Sequence, residues 1–495
     1  MRAVELLQAV RYEPAGEKIR FPDREISGVS IDSRDCREGS VFVCIRGSVC
    51  NGSRYAKEAV RHGAKVLVAA KEEQELIGKI LGQFPECEGV LVEDEREAAA
   101  LLAARYEGEP SRSMTMIGVT GTKGKTTTVS MIRKILSEAG IRTGMIGTTG
   151  QFDGKEHLPS EHTTPDAVTL QRSLARMRKN ACRACVMEVS SQALKLQRTK
   201  GICFDTGVFL NLGDDHIGRF EHADKEEYLA CKRKLFLQSR EAVVNADDPA
   251  WKQMLAGTGC PFQTFGIRNG DFRAVKIRTE SFVQGHPGVE FDIGKVHFQI
   301  PAPGIFTVYN ALAAVRVCMQ YGVTPKTAAG SLLDFQVKGR MQFFSIPGGG
   351  EAVIDYAHNA MSLESVLTTL RAYRPARLIT VFGCGGQRAK ERRFQMGEVS
   401  GRLSDLTVNT SDNPRWEAPE AIMDDIETGV RKTDGKYLRI TDRKEAVKQA
   451  VEMAGPGDLV VIAGKGHENT QEIQGVFYRM DEQELVEEAC TQKLL

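Results

Sequence analysis

The amino-acid sequence predicts an α/β fold of three domains built on parallel sheets. The chain has 495 residues, and at about 150 residues per domain this length is too great for a single hydrophobic core. Short apolar runs alternate along the chain with stretches of helical period, which is the pattern of parallel strands joined by helices.

The charge balance and the apolar pattern limit the classes of partner. Lysine and arginine (66) nearly balance aspartate and glutamate (65), so we expect a small-molecule substrate and no nucleic acid. No apolar run is long enough for a membrane span, and the first residues lack the pattern of a secretory signal. We therefore expect a cytoplasmic protein without membrane insertion, whose twelve cysteines are reduced. The CxxC pair of Cys182 and Cys185 lies in an apolar strand pattern, which indicates buried thiols.

The first domain is predicted to end near Pro110, after the helical run EREAAALLAARYEGEP. The next strand, SMTMIGVT, is followed by the loop GTKGK and by the helical stretch TTTVSMIRKILSEAG. Gly140 is suited to end this helix, whose predicted apolar face comprises Val129, Ile132, Leu136 and Ala139. A second boundary is predicted within DFQVKGRM, residues 334–341.

The segment between this strand and this helix has the composition of a phosphate-binding loop. It comprises Gly121, Thr122, Lys123, Gly124, Lys125, Thr126 and Thr127. The glycines allow a tight turn that points successive N–H groups at an anion beside the helix N-terminus. Lys125 is expected to reach the terminal phosphates, and Thr126 to ligate magnesium. The spacing departs from the strict G-x-x-x-x-G-K-[ST] pattern, because Val119 stands where the first glycine is required, so an ordinary glycine turn is the alternative.

Polar residues follow two other buried-strand patterns in the central region. Glu188 comes at the end of the strand in MEVSSQAL, and His216 follows the strand in NLGDDH. Ligands bind beyond the carboxyl ends of parallel strands, so both residues are candidates to hold or orient magnesium near the phosphates. Either residue alone would be interpreted as an ordinary hydrogen-bonded side chain, but their joint occurrence favours the metal site.

Further candidates lie on a predicted helix, at the second boundary and after a later strand. Lys232, in YLACKRKLF, lies on the helix, where a lone lysine is usually exposed to solvent. Arg340 lies at the boundary and is suited to stabilise charge on a transferring phosphoryl group, with a salt bridge between domains as the alternative. Asp355 and His358 end the strand in VIDYAHN.

Two clusters near the end of the chain are suited to bind a zwitterion. The segment SDNPRWE places the candidate substrate residues Asp412, Asn413 and Arg415 around a proline. Asp, Asn and Pro are turn formers, but a guanidinium on a rigid loop is suited to bidentate capture of a carboxylate. The segment AGKGHE offers the Glu468 carboxylate to an amino group.

With these motifs, the chain resembles the Mur ligase family and, within it, most closely the MurE type. The resemblance covers nearly the whole chain and rests on VSIDSR, GSVFVCIRG, GVTGTKGKTTT, HTTPD, MEVSS, the DH of NLGDDH, YLACK, NADDP, YNALAA, KGRM, DYAH, FGCGG, DNPR and AGKGHE. DNPR is moderately specific for the subtype that adds meso-diaminopimelate rather than lysine. The resemblance implies an ATP- and Mg²⁺-dependent, ADP-forming peptide ligase that extends UDP-N-acetylmuramoyl-L-Ala-D-Glu in peptidoglycan synthesis.

The resemblance also implies an architecture. A UDP-sugar-binding domain is expected at residues 1–110, a central P-loop ATPase-like domain at 111–336, and a C-terminal Rossmann-like domain that binds the incoming amino acid at 337–495. We expect a monomer.

The resemblance implies a role for each matching residue. The UDP-linked dipeptide would contact Ser33, Ser48, Thr163, Thr164, Ser190 and Arg198. Magnesium would be served by Thr126, Glu188, His216 and Lys232, the last as a carbamate, which turns a cation into a carboxylate-like ligand. The nucleotide would contact Asn310, Arg340, Asp355 and His358, and diaminopimelate would contact Arg388, Asn413, Arg415, Gly464 and Glu468. The expected catalytic set is Lys125, Glu188, His216, Lys232 and Arg340.

Two alternatives stay open at this point. One is a ligase of the same family that adds L-lysine or another diamino acid. The other is a nucleotide-binding partner protein without catalytic activity, which is kept open by Gln192 and Gln387, because relatives usually have histidine and often have aspartate at these positions.

Overall fold

The computed structural model describes residues 1–16, 19–47, 50–213, 218 and 221–494. The chain divides into two compact units, the first made of Met1–Arg273 and Tyr309–Ala328, the second of Ala274–Val308 and Ala329–Leu495. Among the described residues, no helix has both the length and the apolar character needed to cross a bilayer. The boundaries expected from the sequence, near 110 and 336, stay a prediction.

The first unit begins with a five-stranded sheet in the order β1-β5-β4-β3-β2, in which only β1 is antiparallel to its neighbour. The strands are β1 (Glu13–Pro14), β2 (Gly28–Ser30), β3 (Ser40–Val43), β4 (Ala64–Ala70) and β5 (Glu88–Val92). The α-helices are α1 (Ala3–Leu7), α2 (Ala56–Arg61), α3 (Gln74–Gln83) and α4 (Glu95–Tyr106), and short 3₁₀ turns cover Ser33–Asp35, Gly52–Tyr55, Lys71–Glu73 and Pro110–Ser113.

A larger sheet of the first unit positions the phosphate loop. Its strands are β6 (Thr115–Thr120), β7 (Thr143–Gly147), β8 (Gly150–Phe152), β9 (His157–Leu158), β10 (Ala184–Glu188), β11 (Phe204–Phe209), β12 (Ser239–Asn245) and β13 (Phe262–Gly266). Its helices are α5 (Lys125–Glu138), α6 (Ala167–Lys179), α7 (Ser191–Lys195), α8 (Lys225–Leu237) and α9 (Trp251–Leu255). The parallel strand β6 lies between β10 and β11, so the chain reverses its winding there and opens a crevice at the strands' carboxyl ends.

The pattern of α5 agrees with the sequence except at its end. Val129, Ile132 and Leu136 are buried, as the helical period predicts. The helix ends at Glu138, however, so Ala139 is the C-cap and is exposed. Gly140 follows with a φ of 81°, the left-handed conformation expected of a residue that terminates a helix.

The second unit contains an antiparallel segment and a second α/β sheet. The antiparallel strands are β14 (Phe272–Val283), which starts in the first unit, β15 (His286–Ile293) and β16 (Val296–Ile300). The helices that follow, α10 (Ile305–Gln320) and α11 (Pro325–Leu332), have residues in both units.

The α/β sheet of the second unit has the order β17-β18-β22-β19-β20-β21, with only β17 antiparallel. Its strands are β17 (Gln342–Ile346), β18 (Gly350–Asp355), β19 (Leu378–Phe382), β20 (Leu406–Asn409), β21 (Tyr437–Arg439) and β22 (Leu459–Ala463). A separate hairpin consists of β23 (Thr470–Ile473) and β24 (Val476–Arg479). The helices are α12 (Ala360–Arg371), α13 (Glu391–Leu403), α14 (Pro419–Val430), α15 (Arg443–Met453) and α16 (Glu482–Leu494).

The core of this sheet brings the C-terminal polar clusters to one edge. Strands β18, β22, β19 and β20 are buried along almost their whole length, as parallel strands covered by helices on both faces must be. In register, Asp355 is paired with Ala463, and Phe382 with Asn409. The segments that contain DYAH, FGCGG, DNPR and AGKGHE therefore all leave the sheet on the same side.

Candidate active site

The predicted phosphate loop joins β6 to α5 at the carboxyl edge of the large sheet. Gly124 is the N-cap of α5 and has a φ of 86°, a conformation that residues with a Cβ seldom adopt. A Cβ at this position would also lie 2.4 Å from Asn310 Oδ1. The same amide oxygen accepts a hydrogen bond from Thr128 Oγ1 at 3.3 Å. The structure thus brings Asn310, predicted to contact the nucleotide, against the loop.

Two lysines converge on one carbonyl of this loop. Lys125 Nζ donates to the Gly121 oxygen at 2.8 Å and to the Thr122 oxygen at 3.2 Å. Lys232 Nζ donates to the same Gly121 oxygen at 3.0 Å. Lys232 is buried, with 1% of its surface exposed, so the exposure predicted from its local sequence is wrong. Two ammonium groups held together make the loop strongly electropositive, which favours a phosphate there.

Tyr228 was not singled out by the sequence reasoning, although it lies in the YLACK motif. Its hydroxyl is 3.1 Å from Thr122 Oγ1, and Thr122 Oγ1 also accepts a hydrogen bond from the Gly213 N–H at 2.9 Å. The Lys232 ammonium lies 4.4 Å from the centre of the Tyr228 ring, within the range of a cation–π contact. Helix α8 therefore supports the loop through two neighbouring side chains.

Asn211 holds the backbone of the loop at Lys123. The Lys123 N–H donates to Asn211 Oδ1 at 2.9 Å, and Asn211 Nδ2 donates to the Lys123 oxygen at 3.1 Å. Thr126 is buried at the start of α5, whereas Thr127 is half-buried.

Glu188 ends β10 beside the loop and is buried. Its Oε1 accepts a hydrogen bond from the Thr148 N–H at 2.8 Å, and its Oε2 accepts one from Thr148 Oγ1 at 3.2 Å. A Cβ on Gly147 would lie 2.4 Å from Glu188 Oε1. Only glycine therefore lets strand β7 approach the carboxylate closely enough for the Thr148 contacts.

The residues predicted to hold the muramoyl dipeptide form a network with Glu188. Thr163 Oγ1 is 3.0 Å from Thr148 Oγ1, and Thr164 Oγ1 donates to the Glu188 backbone oxygen at 2.8 Å. Ser190 caps α7 and donates its N–H to Thr164 Oγ1 at 3.1 Å. Arg198 Nη1 donates to the backbone oxygen of Thr164 at 2.7 Å. Burial lowers the pKa of the Arg198 guanidinium.

Of the remaining residues predicted for the first unit, Ser33 is described by the structure, whereas Ser48 and His216 lie outside the described residues. Ser33 is buried and donates to Glu58 Oε2 at 3.2 Å. His222, which was not predicted, is buried, and its Nε2 is 2.9 Å from Ser191 Oγ.

In the second unit, Arg340, Asp355 and His358 surround Tyr356. The Arg340 guanidinium lies 4.6 Å from the centre of the Tyr356 ring. Asp355 Oδ2 accepts a hydrogen bond from the Met341 N–H at 2.9 Å. His358 Nδ1 lies 2.8 Å from the backbone oxygen of Tyr356. Burial raises the pKa of Tyr356.

Asn413 and Glu468, predicted to bind the amino acid, are joined by Lys465. Lys465 Nζ donates to Asn413 Oδ1 and to Glu468 Oε2, both at 3.0 Å, and Asn413 Nδ2 donates to the same Glu468 oxygen at 3.0 Å. Burial acts to raise the pKa of Glu468, but Lys465 and Asn413 outweigh it and lower the pKa. Glu468 is therefore kept ionised, as the acceptor of an ammonium group must be.

Arg415 follows this cluster and is paired with Glu472, which the sequence reasoning missed. Arg415 Nε donates to Glu472 Oε2 at 3.0 Å, and Nη1 donates to the Gly386 oxygen at 2.7 Å. Oδ1 of the neighbouring Asp412 accepts a hydrogen bond from the Asn413 N–H at 2.6 Å. The Gly464 N–H donates to the backbone oxygen of Asp355 at 3.1 Å. Arg388 is exposed.

Comparison with known proteins assigns these motifs to one family. The Mur ligase family catalytic domain matches residues 25–107, the Mur ligase middle domain residues 119–318, and the Mur ligase glutamate ligase domain residues 339–466. A UDP-N-acetylmuramoyl-L-alanyl-D-glutamate--2,6-diaminopimelate ligase of Clostridium botulinum is 36% identical over 478 residues, covering 95% of this chain and 96% of the relative. The chain belongs to the Mur ligase family.

Two further similarities extend along the whole Mur ligase chain. The diaminopimelate ligase of the same name from Chlorobaculum tepidum is 39% identical over 481 residues, which cover 94% of this chain and 92% of the relative. A solved structure of a ligase with that name matches with a TM-score of 0.68 and 28% identity, and the match covers 100% of both chains. The predicted three-domain α/β architecture is confirmed by this agreement in fold.

The structure groups the predicted site residues of this Mur ligase into two sets. In the first unit, the phosphate loop meets Asn310 and Lys232, and Glu188 meets Thr163, Thr164, Ser190 and Arg198. In the second unit, Asn413 meets Glu468, while Arg340, Asp355 and His358 gather around Tyr356 and its neighbours. Tyr228, Lys465 and Glu472 are the principal residues that were missed. Tyr228 and Lys465 had a signal, because they lie inside the YLACK and AGKGHE motifs, whereas Glu472 had none.

Proposed function

We propose that this Mur ligase uses ATP to join meso-diaminopimelate to the D-Glu carboxylate of UDP-N-acetylmuramoyl-L-Ala-D-Glu, acting in peptidoglycan synthesis. The observation that carries the proposal is the similarity, along nearly the whole chain, to ligases with this printed name. The pairing of a phosphate loop with a separate zwitterion cluster supports it, because a ligase must activate one substrate with ATP and bind the amine of another.

The chemistry of the donors beside the loop fits magnesium. Hydroxyl and carboxylate oxygens are the ligands that Mg²⁺ prefers, and Thr126 and Glu188 supply them. Lys232 would join them only as a carbamate, since an ammonium group cannot ligate a metal. His216 belongs to the same proposed set. Bound magnesium would neutralise charge on the nucleotide phosphates.

The proposed reaction has two steps. The γ-carboxylate of D-Glu attacks the γ-phosphorus of ATP, which forms an acyl phosphate and releases ADP. The deprotonated amine of the amino acid then attacks the acyl carbon, forms the amide and expels phosphate. Phosphoryl transfer depends mainly on positioning and charge stabilisation, which we assign to Lys125 and Arg340.

The incoming amino acid would be selected in the second unit. Glu468, kept ionised by Lys465 and Asn413, would accept the ammonium group at the distal end of diaminopimelate, and Arg415 would pair with the distal carboxylate. A site built to pair a charged group strongly rejects an analogue that lacks it. We therefore propose diaminopimelate rather than L-lysine as the substrate.

We further propose that the protein acts as a monomer whose UDP-binding, ATP-binding and amino-acid-binding domains are residues 1–110, 111–336 and 337–495. A catalytically inactive partner protein is the opposing hypothesis.

Phosphate release separates the enzyme from an inactive partner. The assay measures phosphate from ATP and magnesium with both substrates present, and then with each substrate omitted. The proposed function requires release that depends on both substrates and is abolished in Lys125→Ala. Positional isotope exchange in ATP with the dipeptide substrate alone tests the reversible acyl phosphate. A folded, active enzyme that shows no exchange would count against that step.

A further inference from the structure

The Arg415 guanidinium is held from two sides before any substrate carboxylate is considered. Its Nε donates to Glu472 Oε2 at 3.0 Å, and its Nη1 donates to the Gly386 oxygen at 2.7 Å. Among the described residues, Arg415 Nη2 has no hydrogen-bond partner. The side chains of Arg415 and Glu472 are each 22% exposed. The edge formed by Nη1 and Nη2 therefore retains donors for a carboxylate.

Glu472 also fixes the backbone beside Arg415. The Glu472 N–H donates to Asn413 Oδ1 at 3.0 Å, and its backbone oxygen accepts the Arg415 N–H at 3.1 Å. The N–H of Gln474, the residue that follows β23, donates to the Arg415 backbone oxygen at 2.7 Å. These three contacts use main-chain atoms of the hairpin, so a change of the Glu472 side chain leaves them in place and removes only the guanidinium contact.

We propose that Glu472 is a positioning residue for amino-acid selection, which holds the Arg415 guanidinium so that its Nη1–Nη2 edge pairs with the distal carboxylate of the incoming amino acid. The inference rests on the proposed function. An arginine loses rotamer freedom when it binds, and a planar guanidinium that is already oriented loses less. The carboxylate of Glu472 occupies Nε, so the substrate carboxylate is directed to the end of the fork rather than to its side.

The negative charge of Glu472 could instead weaken substrate binding, but the geometry of the Arg415 contacts argues against this. A second carboxylate beside Arg415 would repel the substrate if both competed for the same donors. Glu472 Oε2, however, takes the Nε donor, whereas end-on pairing uses Nη1 and Nη2. Its effect is therefore expected on the orientation of Arg415 and not on the availability of the Nη2 donor.

The test compares two substitutions with a control in α16 that breaks a different ion pair of the same hairpin. Glu472→Ala removes the acceptor, Glu472→Gln keeps an acceptor oxygen without the charge, and Glu484→Ala removes the exposed partner of Arg479 near the end of β24. Each variant is assayed for KM and kcat with meso-diaminopimelate and, separately, with L-lysine, which lacks the distal carboxylate. Thermal unfolding checks that all variants are folded.

Glu472→Ala is expected to raise the KM for diaminopimelate about three- to tenfold, in the range of a partly exposed ion pair. Its kcat, and the KM for lysine wherever turnover is measurable, should be unchanged. Glu472→Gln and Glu484→Ala should stay within about twofold of the wild type. In an Arg415→Ala background, Glu472→Ala should have no further effect, because Glu472 acts through Arg415.

Several outcomes would overturn the inference. A lower KM for diaminopimelate in Glu472→Ala would mean that Glu472 competes with the substrate. An unchanged KM, an equal rise for lysine, or a full additional effect without Arg415 would each remove its positioning role. A wild-type enzyme without diaminopimelate-dependent phosphate release would instead refute the proposed function, so the two failures are distinguishable.

Discussion

The substitution Gly147→Ala tests the assignment of Glu188 without touching that residue. The added Cβ would lie 2.4 Å from Glu188 Oε1, so the oxygen has to move by about 1 Å to reach an ordinary contact distance of 3.4 Å. That movement pulls Oε1 away from the Thr148 N–H, which now donates to it at 2.8 Å. The carboxylate would then no longer stand where the proposed magnesium site requires it.

The expected magnitudes follow from this displacement. Forcing an extra methyl group into a close-packed site costs about 1–3 kcal/mol of folding stability. A displacement of about 1 Å in a reacting assembly can lower the rate about 100-fold. Gly147→Ala should therefore unfold at a moderately lower temperature, show a much lower kcat for phosphate release, and require more magnesium for half-maximal activity.

Two other glycine substitutions separate stability from metal binding. Gly144→Ala, on the same strand, would place a Cβ 2.4 Å from Met177 Sδ, and Gly78→Ala on α3 would meet nothing within 4 Å. Gly144→Ala should lower stability without changing the magnesium requirement. Gly78→Ala should also leave the magnesium requirement unchanged, and it should raise stability by about 0.5–1 kcal/mol because alanine favours a helix more than glycine does. A folded Gly147→Ala enzyme with wild-type kcat and wild-type magnesium dependence would refute the reasoning on Glu188.

Three further predictions follow from buried contacts. Lys465→Met removes the cation that lowers the pKa of Glu468, so burial should then raise that pKa. The KM for diaminopimelate should therefore begin to rise, as the pH is lowered, at a higher pH in the variant than in the wild type, and identical pH profiles of KM would contradict this. Tyr228→Phe removes the hydroxyl contact to Thr122 and should raise the KM for ATP about three- to tenfold, with little change in the KM for diaminopimelate, as measured by steady-state kinetics. Arg443→Met leaves the fully buried Glu482 without its ion-pair partner. The free energy of unfolding, measured by urea titration, should fall by about 3–5 kcal/mol. An unchanged urea midpoint would show that the ion pair contributes nothing to stability.

The parts of the site that could be predicted from the sequence depend on neighbours along the chain. The phosphate loop was predictable because strand, glycines, lysine and helix follow one another within one segment. The position of Glu188 was predictable because parallel strands end at a common edge. In the second unit, the same rule explains why DYAH, FGCGG, DNPR and AGKGHE leave one side of the sheet.

The parts that could not be predicted depend on distant pairings. Lys232 donates to a carbonyl 111 residues away, so its burial follows from the packing of α8 against the loop and not from the local pattern. Arg415 and Glu472 are 57 residues apart, and Glu472 lies in a hairpin without a distinctive motif. Such contacts require the tertiary fold, which one sequence does not specify by periodicity.

The division into compact units depends on the same kind of contact. Residues 274–308 group with the C-terminal sheet, and the Mur ligase middle domain also matches them. His286 Nδ1 lies 2.9 Å from Glu351 Oε1, and the Tyr373 hydroxyl donates to the Gly288 oxygen at 2.6 Å. These side chains connect the antiparallel strands to the C-terminal sheet across more than 60 residues of sequence.

The most direct test of the account is a competition for the incoming amino acid. The purified protein is incubated with ATP, magnesium, UDP-N-acetylmuramoyl-L-Ala-D-Glu and equal concentrations of meso-diaminopimelate and L-lysine, and the product is identified by mass. The account predicts the diaminopimelate tripeptide as the dominant product in the wild type, with Arg415→Ala narrowing that preference. Comparable amounts of both tripeptides from the wild type, or the lysine product alone, would contradict it.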